Sequence, residues 1–305
     1  MSKSWFSKGD ENARIVIRIS LITIVINLLL VISKSILGAM FGNLSVLSDA
    51  IHSGSDLFTS FLIIAAVFLS SPKRDNQYNY GREKVEPLVV LFLALIIGGV
   101  GIFLGWEGIQ GLISPEPAEL NFYLIAVTVL SILVKEGMFW YEMHYAKKIN
   151  SAMLKADAWH SRSDSLASVA VLIGLICSTF METDIIESIA VLVVALFILK
   201  VAFDIAKPSI GQLLDKSAGE EAGKEIRKIV LEIEGVKGID VLNTRLFGNK
   251  IYVDIEVSAD GALTLEESHK IAHEVHDTLE AHEELRIKHA QVHVNPIKEE
   301  PICKN

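Results

Sequence analysis

The chain has only two cysteines in 305 residues, Cys177 within an apolar stretch and Cys303 close to its C-terminal end. Their separation in sequence and setting excludes a disulfide framework and a cysteine-rich metal site; Cys177 is expected to be a small packing residue. Lysine and arginine are missing from alternate connections: residues 42–43, 114–121 and 180–184 contain neither. The N-terminal region lacks a short apolar core followed by a small-residue cleavage site, so the first apolar run is expected to be retained rather than removed as a signal peptide. No His-Glu-x-x-His occurs, which removes the helical zinc-hydrolase signature.

Apolar side chains, by contrast, make up 51% of the chain, and the mean hydropathy is +0.42. That exceeds a soluble domain of ordinary composition. Crossing a bilayer takes about 20 apolar residues, and six runs qualify, at 15–40, 44–70, 85–113, 122–145, 158–179 and 185–205. The other connections are basic: Lys3, Lys8 and Arg14 precede the first run, Lys73, Arg74, Arg82 and Lys84 fall in the second connection, and Lys147, Lys148 and Lys155 in the fourth. By the positive-inside rule, both termini are expected in the cytoplasm. The chain therefore reads as a multi-pass, integral, α-helical membrane protein, with residues 1–207 forming a six-helix transmembrane bundle and residues 208–305 a soluble cytoplasmic domain.

Within the second and fifth runs one frame is repeated. Asp-Ala-Ile-His-Ser-Gly-Ser-Asp (Asp49 to Asp56) returns as Asp-Ala-Trp-His-Ser-Arg-Ser-Asp (Asp157 to Asp164). Residues four apart share a helix face, so His52 stacks with Asp56 and His160 with Asp164. Ionisable groups in hydrocarbon are costly and usually mark an ion pathway. A lone buried His or Asp could serve helix packing, but a duplicated pair of such groups is better explained by function. With the N-terminus inside, the two motif helices run antiparallel, which sets His52 level with Asp164 and Asp56 level with His160. Two nitrogens and two oxygens then close a roughly tetrahedral cage. Such a donor set suits Zn(II) best, while Fe(II), Co(II), Mn(II) and Cd(II) can use the same ligands.

Charge suggests how such a cage would release an ion. A divalent cation with two carboxylates and two neutral imidazoles is neutral, whereas the emptied cage keeps two negative charges that burial penalises. Ligands must shed protons to bind metal, and histidine titrates near neutral pH. Exchange of metal for protons follows. Asp49 and Asp157 lie on the same helix faces as the histidines and read equally well as guides in the two vestibules or as local hydrogen-bond partners. Arg162 sits about 200° around the helix from His160 and is expected to face away and snorkel. Gly98, Gly99, Gly101 and Gly105 suggest a close-packing face on the third span, and Trp106 an interfacial anchor. Lys135 and Glu136 in the fourth span have no role in this scheme beyond pairing across a bundle interface.

Residues 208–305 hold 19 acidic and 12 basic side chains and six of the nine histidines. An amphipathic helix is expected over 218–234, with Ile226, Ile229, Val230 and Ile233 on its apolar face. Strands are expected over 236–247 and 250–258 around a Gly248-Asn249 turn. A second helix over 263–282 and a strand over 285–294 complete an αββαβ order, a small α+β sheet with its helices on one face. Asp240, Asp254, His269, His293 and Asn295 are candidate metal ligands here, against the alternative of solvated surface groups. His269, His273 and His276 share one helical face.

Taken together, these residues resemble the cation diffusion facilitator family: six spans, the His-x-x-x-Asp pairs, the stretch Tyr-Gly-Arg-Glu-Lys-Val-Glu-Pro (Tyr80 to Pro87) and the closing Val-His-Val-Asn-Pro (Val292 to Pro296). The resemblance implies a homodimeric antiporter in the lipid bilayer that exports zinc or a similar divalent ion against protons. It also implies a metallochaperone-like C-terminal domain that binds metal and tightens the dimer. His52, Asp56, His160 and Asp164 become the transport ligands. Asp240, Asp254, His269 and His293 fall where members of the family bind regulatory zinc, with Asp at two positions where His occurs elsewhere. Lys84 and Asp215 match a charge pair linking the two domains; an exposed pair contributes little energy, so its value would lie in positioning. Arg82 replaces a histidine used by similar proteins for a further metal, so no metal is expected in that loop barring Asp75 with another partner. The fourth connection has no His-rich insert, which favours a prokaryotic cell membrane over a eukaryotic vesicle.

Two competing classes are an intramembrane metalloenzyme and a membrane-anchored metal sensor. An enzyme needs an open coordination position and a general base, whereas all four ligands here are committed. An anchor needs no duplicated carboxylates in the bilayer. No enzyme activity, resident cofactor or nucleic-acid partner is expected.

Overall fold

A computed structural model describes residues 9–41, 44–70, 76–113, 122–181, 185–248, 250–282 and 284–297. Lys3, Lys8, Lys73, Arg74, Asp75 and Cys303 fall outside the described residues, as do the side chains of Asp49, His52 and Cys177. Two compact units divide between Ile210 and Gly211.

The first unit is built of six long helices, α1 (Gly9–Phe41), α2 (Leu44–Leu69), α3 (Val85–Ile113), α4 (Phe122–Ile149), α5 (Ala152–Met181) and α6 (Ile185–Leu213). Segments within α1, α3 and α6 are apolar enough to span a membrane by composition alone; α2, α4 and α5 match them in length but carry the charged frame and its neighbours. Leu95, Ile102, Leu133 and Leu196 remain exposed on the bundle surface, where they suit lipid. Ile19, Ile63, Leu93, Ile97, Leu154 and Ile198 are fully buried inside it.

Small residues bring α3 against α6. A Cβ at Gly101 would lie 2.9 Å from Leu199, and one at Gly108 2.8 Å from Leu192, while Gly98 and Gly105 face Ala202 and Ala195. Gly99 has nothing within 4 Å and is not on this face, a correction to the expected stripe. The face follows the helical repeat through 98, 101, 105 and 108, which leaves 99 on another side. A second difference concerns Pro208, where soluble character was expected to begin. Helix α6 passes through it to Leu213, and next to the residue that lacks an N–H, Ser209 donates its hydroxyl back to the Ile205 carbonyl at 3.2 Å.

The second unit has the order α7 (Glu220–Leu231), β1 (Gly238–Phe247), β2 (Lys250–Ala259), α8 (Leu265–Ala281) and β3 (Ile287–Pro296). The sheet runs β1-β2-β3, antiparallel across the first pair and parallel across the second. The parallel pair requires a crossover, which α8 supplies. Alternate β2 residues Ile251, Val253, Ile255, Val257 and Ala259 are buried against Ile226 and Val230 of α7 and Ile271, Val275 and Leu279 of α8. Both helices therefore cover one face, and among the described residues no helix of this unit covers the other. Gly235 (φ 89°) closes the turn into β1, where a Cβ would lie 2.6 Å from Ile271.

A capping box starts α8: Thr264 Oγ1 accepts the Glu267 N–H at 3.3 Å, and Glu267 Oε2 accepts the Thr264 N–H at 2.8 Å. The Thr264 N–H, and then the Thr264 hydroxyl donating to the same Oε2 at 2.7 Å, hold the Glu267 carboxyl below the usual carboxylate range. A depressed folded-state pKa contributes stability above the ordinary carboxylate value and loses it as pH falls through the depressed one. Thr264→Ala is accordingly expected to weaken the start of α8 by about 1 kcal/mol, read as faster hydrogen exchange of its first-turn amides at neutral pH, with the difference from the parent shrinking in acid.

Candidate metal centre

Helices α2 and α5 bring three of the four expected ligands together. Asp56 on α2 and His160 and Asp164 on α5 are each at least 95% buried, and their donor atoms lie within 4.8 Å of one another. Asp56 Oδ1 is 3.4 Å from His160 Nε2. Both ring nitrogens of His160 are buried, Nδ1 without a hydrogen-bond partner and Nε2 with only that long contact to Asp56, an expensive state for a polar ring unless something coordinates it. His52 lies on α2.

Helix α4 adds a group that the sequence left without a role. Lys135 Nζ lies 2.9 Å from Asp56 Oδ2 and 2.7 Å from Asp164 Oδ2, and all three side chains are about 95% buried. Like charges 4 Å apart repel by about 4 kcal/mol in a protein-like dielectric. One ammonium between two carboxylates turns that repulsion into attraction. Its neighbour Glu136 pairs with Arg162 Nη2 at 3.4 Å, so both α4 charges do pair across the α4–α5 interface. The expected outward, snorkelling Arg162 is corrected: its guanidinium is held by Glu136 and stacks 4.2 Å from the Phe139 ring centre, with Trp140 and Trp159 near it.

Seven residues along each helix lies a second polar level, about 10 Å from the first. Glu142 of α4 and Asp157 of α5 are fully buried and act on one another electrostatically; Thr23 of α1 donates to Glu142 Oε1 at 2.7 Å. Asp157 Oδ2 and Glu142 Oε2 have no hydrogen-bond partner. Sequence reasoning named Asp157 but missed Glu142. Its spacing of seven from Lys135, which puts both on one stripe of α4, was the available signal.

In the second unit, Asp240 accepts from Ser258 at 2.7 Å and from Asn295 at 3.0 Å, and Asn295 also reaches Glu256. Asp254 pairs in register with Asn243 and Gln291, and His293 with Glu256; these residues belong to the helix-free face. His269 stands on α8, whose helix covers the opposite face, with His273 as its ring neighbour. Among the described residues, the four expected ligands Asp240, Asp254, His269 and His293 do not form one cluster within the chain. Lys84 lies in the turn before α3, and Asp215 follows α6 with φ 55°.

Comparison with known proteins adds the family. Residues 20–214 match the cation efflux transmembrane domain and residues 218–297 the cation efflux protein cytoplasmic domain. The chain belongs to the cation efflux, or cation diffusion facilitator, family. It is 35% identical over 275 residues to the uncharacterized transporter MJ0449 of Methanocaldococcus jannaschii, covering 90% of this chain and 96% of that one. It is 26% identical to the manganese efflux system protein MneP of Bacillus subtilis, covering 96% and 100%. It is 29% identical to the cation-efflux pump FieF of Shewanella oneidensis, covering 85% and 87%. This family member is thus an integral membrane cation efflux transporter.

Because Lys135 occupies the point where a bound cation would meet both carboxylates, it competes with any such ion. Lys135→Met is expected to raise divalent-metal affinity roughly tenfold, or 1.4 kcal/mol, in calorimetric titration of the detergent-solubilised protein.

Proposed function

We propose that the transporter exports a divalent metal ion, Zn(II) first among the candidates, from the cytoplasm in exchange for protons, as a homodimer with both termini inside a prokaryotic cell membrane. The observation that carries this reading is the convergence of Asp56, His160 and Asp164 in the buried centre of the bundle. His52, one turn before Asp56 in sequence, would complete the ligand set. Two carboxylates and two imidazoles neutralise and coordinate one divalent ion, and Lys135 returns to the carboxylates when the ion leaves. Protons taken up by the emptied ligands restore the rest of the charge balance. With the termini inside, Asp157 and Glu142 would serve the cytoplasmic approach to the centre and Asp49 the outer one. Lys84 and Asp215 would position the two units. The matching of residues 218–297 to the cytoplasmic domain of cation efflux proteins supports a dimer joined through the second unit.

A relative named for manganese efflux supports Mn(II) as the second reading of the cargo, and a nitrogen- and oxygen-only ligand set accepts either ion. Reconstituted vesicles holding a metal-sensitive dye and given a pH gradient separate the possibilities, with Zn(II), Mn(II), Fe(II), Co(II) and Cd(II) run in parallel. Zn(II) flux coupled to proton flux in the opposite direction is expected, falling to the level of protein-free vesicles in Asp56→Asn and Asp164→Asn while size-exclusion profiles stay unchanged. Undiminished flux in both variants would remove the site; flux insensitive to the pH gradient would remove the proton coupling.

A further inference from the structure

A second constellation lies at the open edge of the cytoplasmic sheet, apart from every ligand set considered so far. His276 and Glu280 stand one turn apart on α8, and His289 reaches them from β3. His276 Nε2 and His289 Nδ1 lie 3.4 Å and 2.9 Å from the same oxygen, Glu280 Oε1. One donor atom from each residue falls within 4.8 Å of the other two. Sequence order hides this group, because His289 lies thirteen positions and a change of element away from His276.

The hydrogen bonds around the group decide what it can hold. His276 Nδ1 is 2.7 Å from the Ala290 carbonyl oxygen. A carbonyl only accepts, so the proton of a neutral ring sits on Nδ1 and the lone pair on Nε2 is aimed at Glu280. A histidine fixed through one nitrogen by a backbone carbonyl, with the other nitrogen presented, is the arrangement found behind metal ligands. Glu280 Oε1 also accepts the Ala290 N–H at 3.2 Å. Both ligands from α8 are therefore anchored to one residue of β3. The neutral-ring nitrogen then faces a carboxylate oxygen, acceptor against acceptor, which either a proton on Nε2 or a metal cation between them relieves.

Protection of the sheet edge accounts for part of this. The edge strand β3 would otherwise expose the Ala290 N–H and carbonyl, and unpaired edges invite association. Edge protection explains Glu280 and His276, and a hydrogen bond between His289 Nδ1 and Glu280 Oε1 at 2.9 Å holds His289 on the same oxygen, which leaves three potential ligand atoms converging on one point. We propose that His276, Glu280 and His289 bind one divalent cation of the Zn(II) class, with water in the fourth position, and so clamp α8 to β3 when cytoplasmic metal is plentiful. Two imidazoles and a carboxylate favour Zn(II), Co(II) or Ni(II) over Mg(II) and Ca(II). His273, whose ring centre is 6.1 Å from that of His276, is the nearest further imidazole.

The test counts Zn(II) on the full-length, detergent-solubilised protein by competition with a chromophoric chelator, and records the visible spectrum of the Co(II)-loaded form. An Asp56→Asn, Asp164→Asn background silences the proposed transport centre, so the two sites are scored separately. His289→Ala and Glu280→Gln are each expected to remove one equivalent of Zn(II) per chain, or to weaken it roughly 100-fold, and to change the Co(II) spectrum. His289 is part-exposed and tolerates replacement, so His289→Ala alone decides the matter should Glu280→Gln loosen the fold. Unchanged Zn(II) binding in His289→Ala overturns the proposal and leaves edge protection as the function of the cluster. A background that binds no Zn(II) before His289 is changed also overturns it. Failure of the transport centre would instead appear as no loss of Zn(II) on introducing the two Asp→Asn changes.

Discussion

Two carboxylates buried side by side in a low-dielectric bundle are the constraint around which the membrane unit is arranged. Asp56 and Asp164 cannot both stay charged and close without a cation, and Lys135 supplies one within 3 Å of each. Everything nearby is compatible with exchanging that cation. The His160 ring has only a long contact from Nε2 to Asp56 and none at Nδ1, and the next charged pair, Glu136–Arg162, is locked elsewhere by an ion pair and aromatic faces. The bundle thus separates its charges into one pair that is held by its surroundings and one set whose counter-ion sits on a flexible four-carbon stem.

The same logic explains why packing around the centre relies on small and aliphatic residues. Glycines on α3 let α6 approach to near van der Waals contact, and fully buried leucines and isoleucines fill the rest. In a bilayer this packing, rather than water exclusion, holds helices together. It allows the polar stripe of α4 and α5 to remain internal, with Lys135 and Glu142 on one helix and Asp164 and Asp157 on the other forming two levels.

Much of this was legible in the sequence. Apolar runs located the helices because a bilayer imposes length, and the duplicated frame located Asp56, His160 and Asp164 because residues four apart must share a face. Period-two alternation and the Gly248-Asn249 turn gave the αββαβ order of the second unit. What stayed hidden depended on a third element. Lys135 is adjacent in sequence to Glu136, yet the two reach different partners, and only the rotation of α4 against α5 determines which. Arg162 was misread for a related reason: its angle from His160 was right, but that direction leads to Glu136 and Phe139 rather than outward. The His276–Glu280–His289 group was missed because it requires knowing that α8 crosses back over the edge strand. Within one chain, the sheet also separates His269 from the strand-borne Asp240, Asp254 and His293, which spacing alone cannot reveal.

The account stands or falls on whether metal and Lys135 take turns on the same two carboxylates. A structure of the metal-loaded protein with anomalous scattering recorded at the metal edge tests this directly. The account predicts a single intramembrane peak per chain about 2.0–2.2 Å from an oxygen of Asp56, an oxygen of Asp164 and a nitrogen of His160, with the Lys135 ammonium withdrawn. Metal bound in the membrane unit while Lys135 still bridges Asp56 and Asp164 would contradict it.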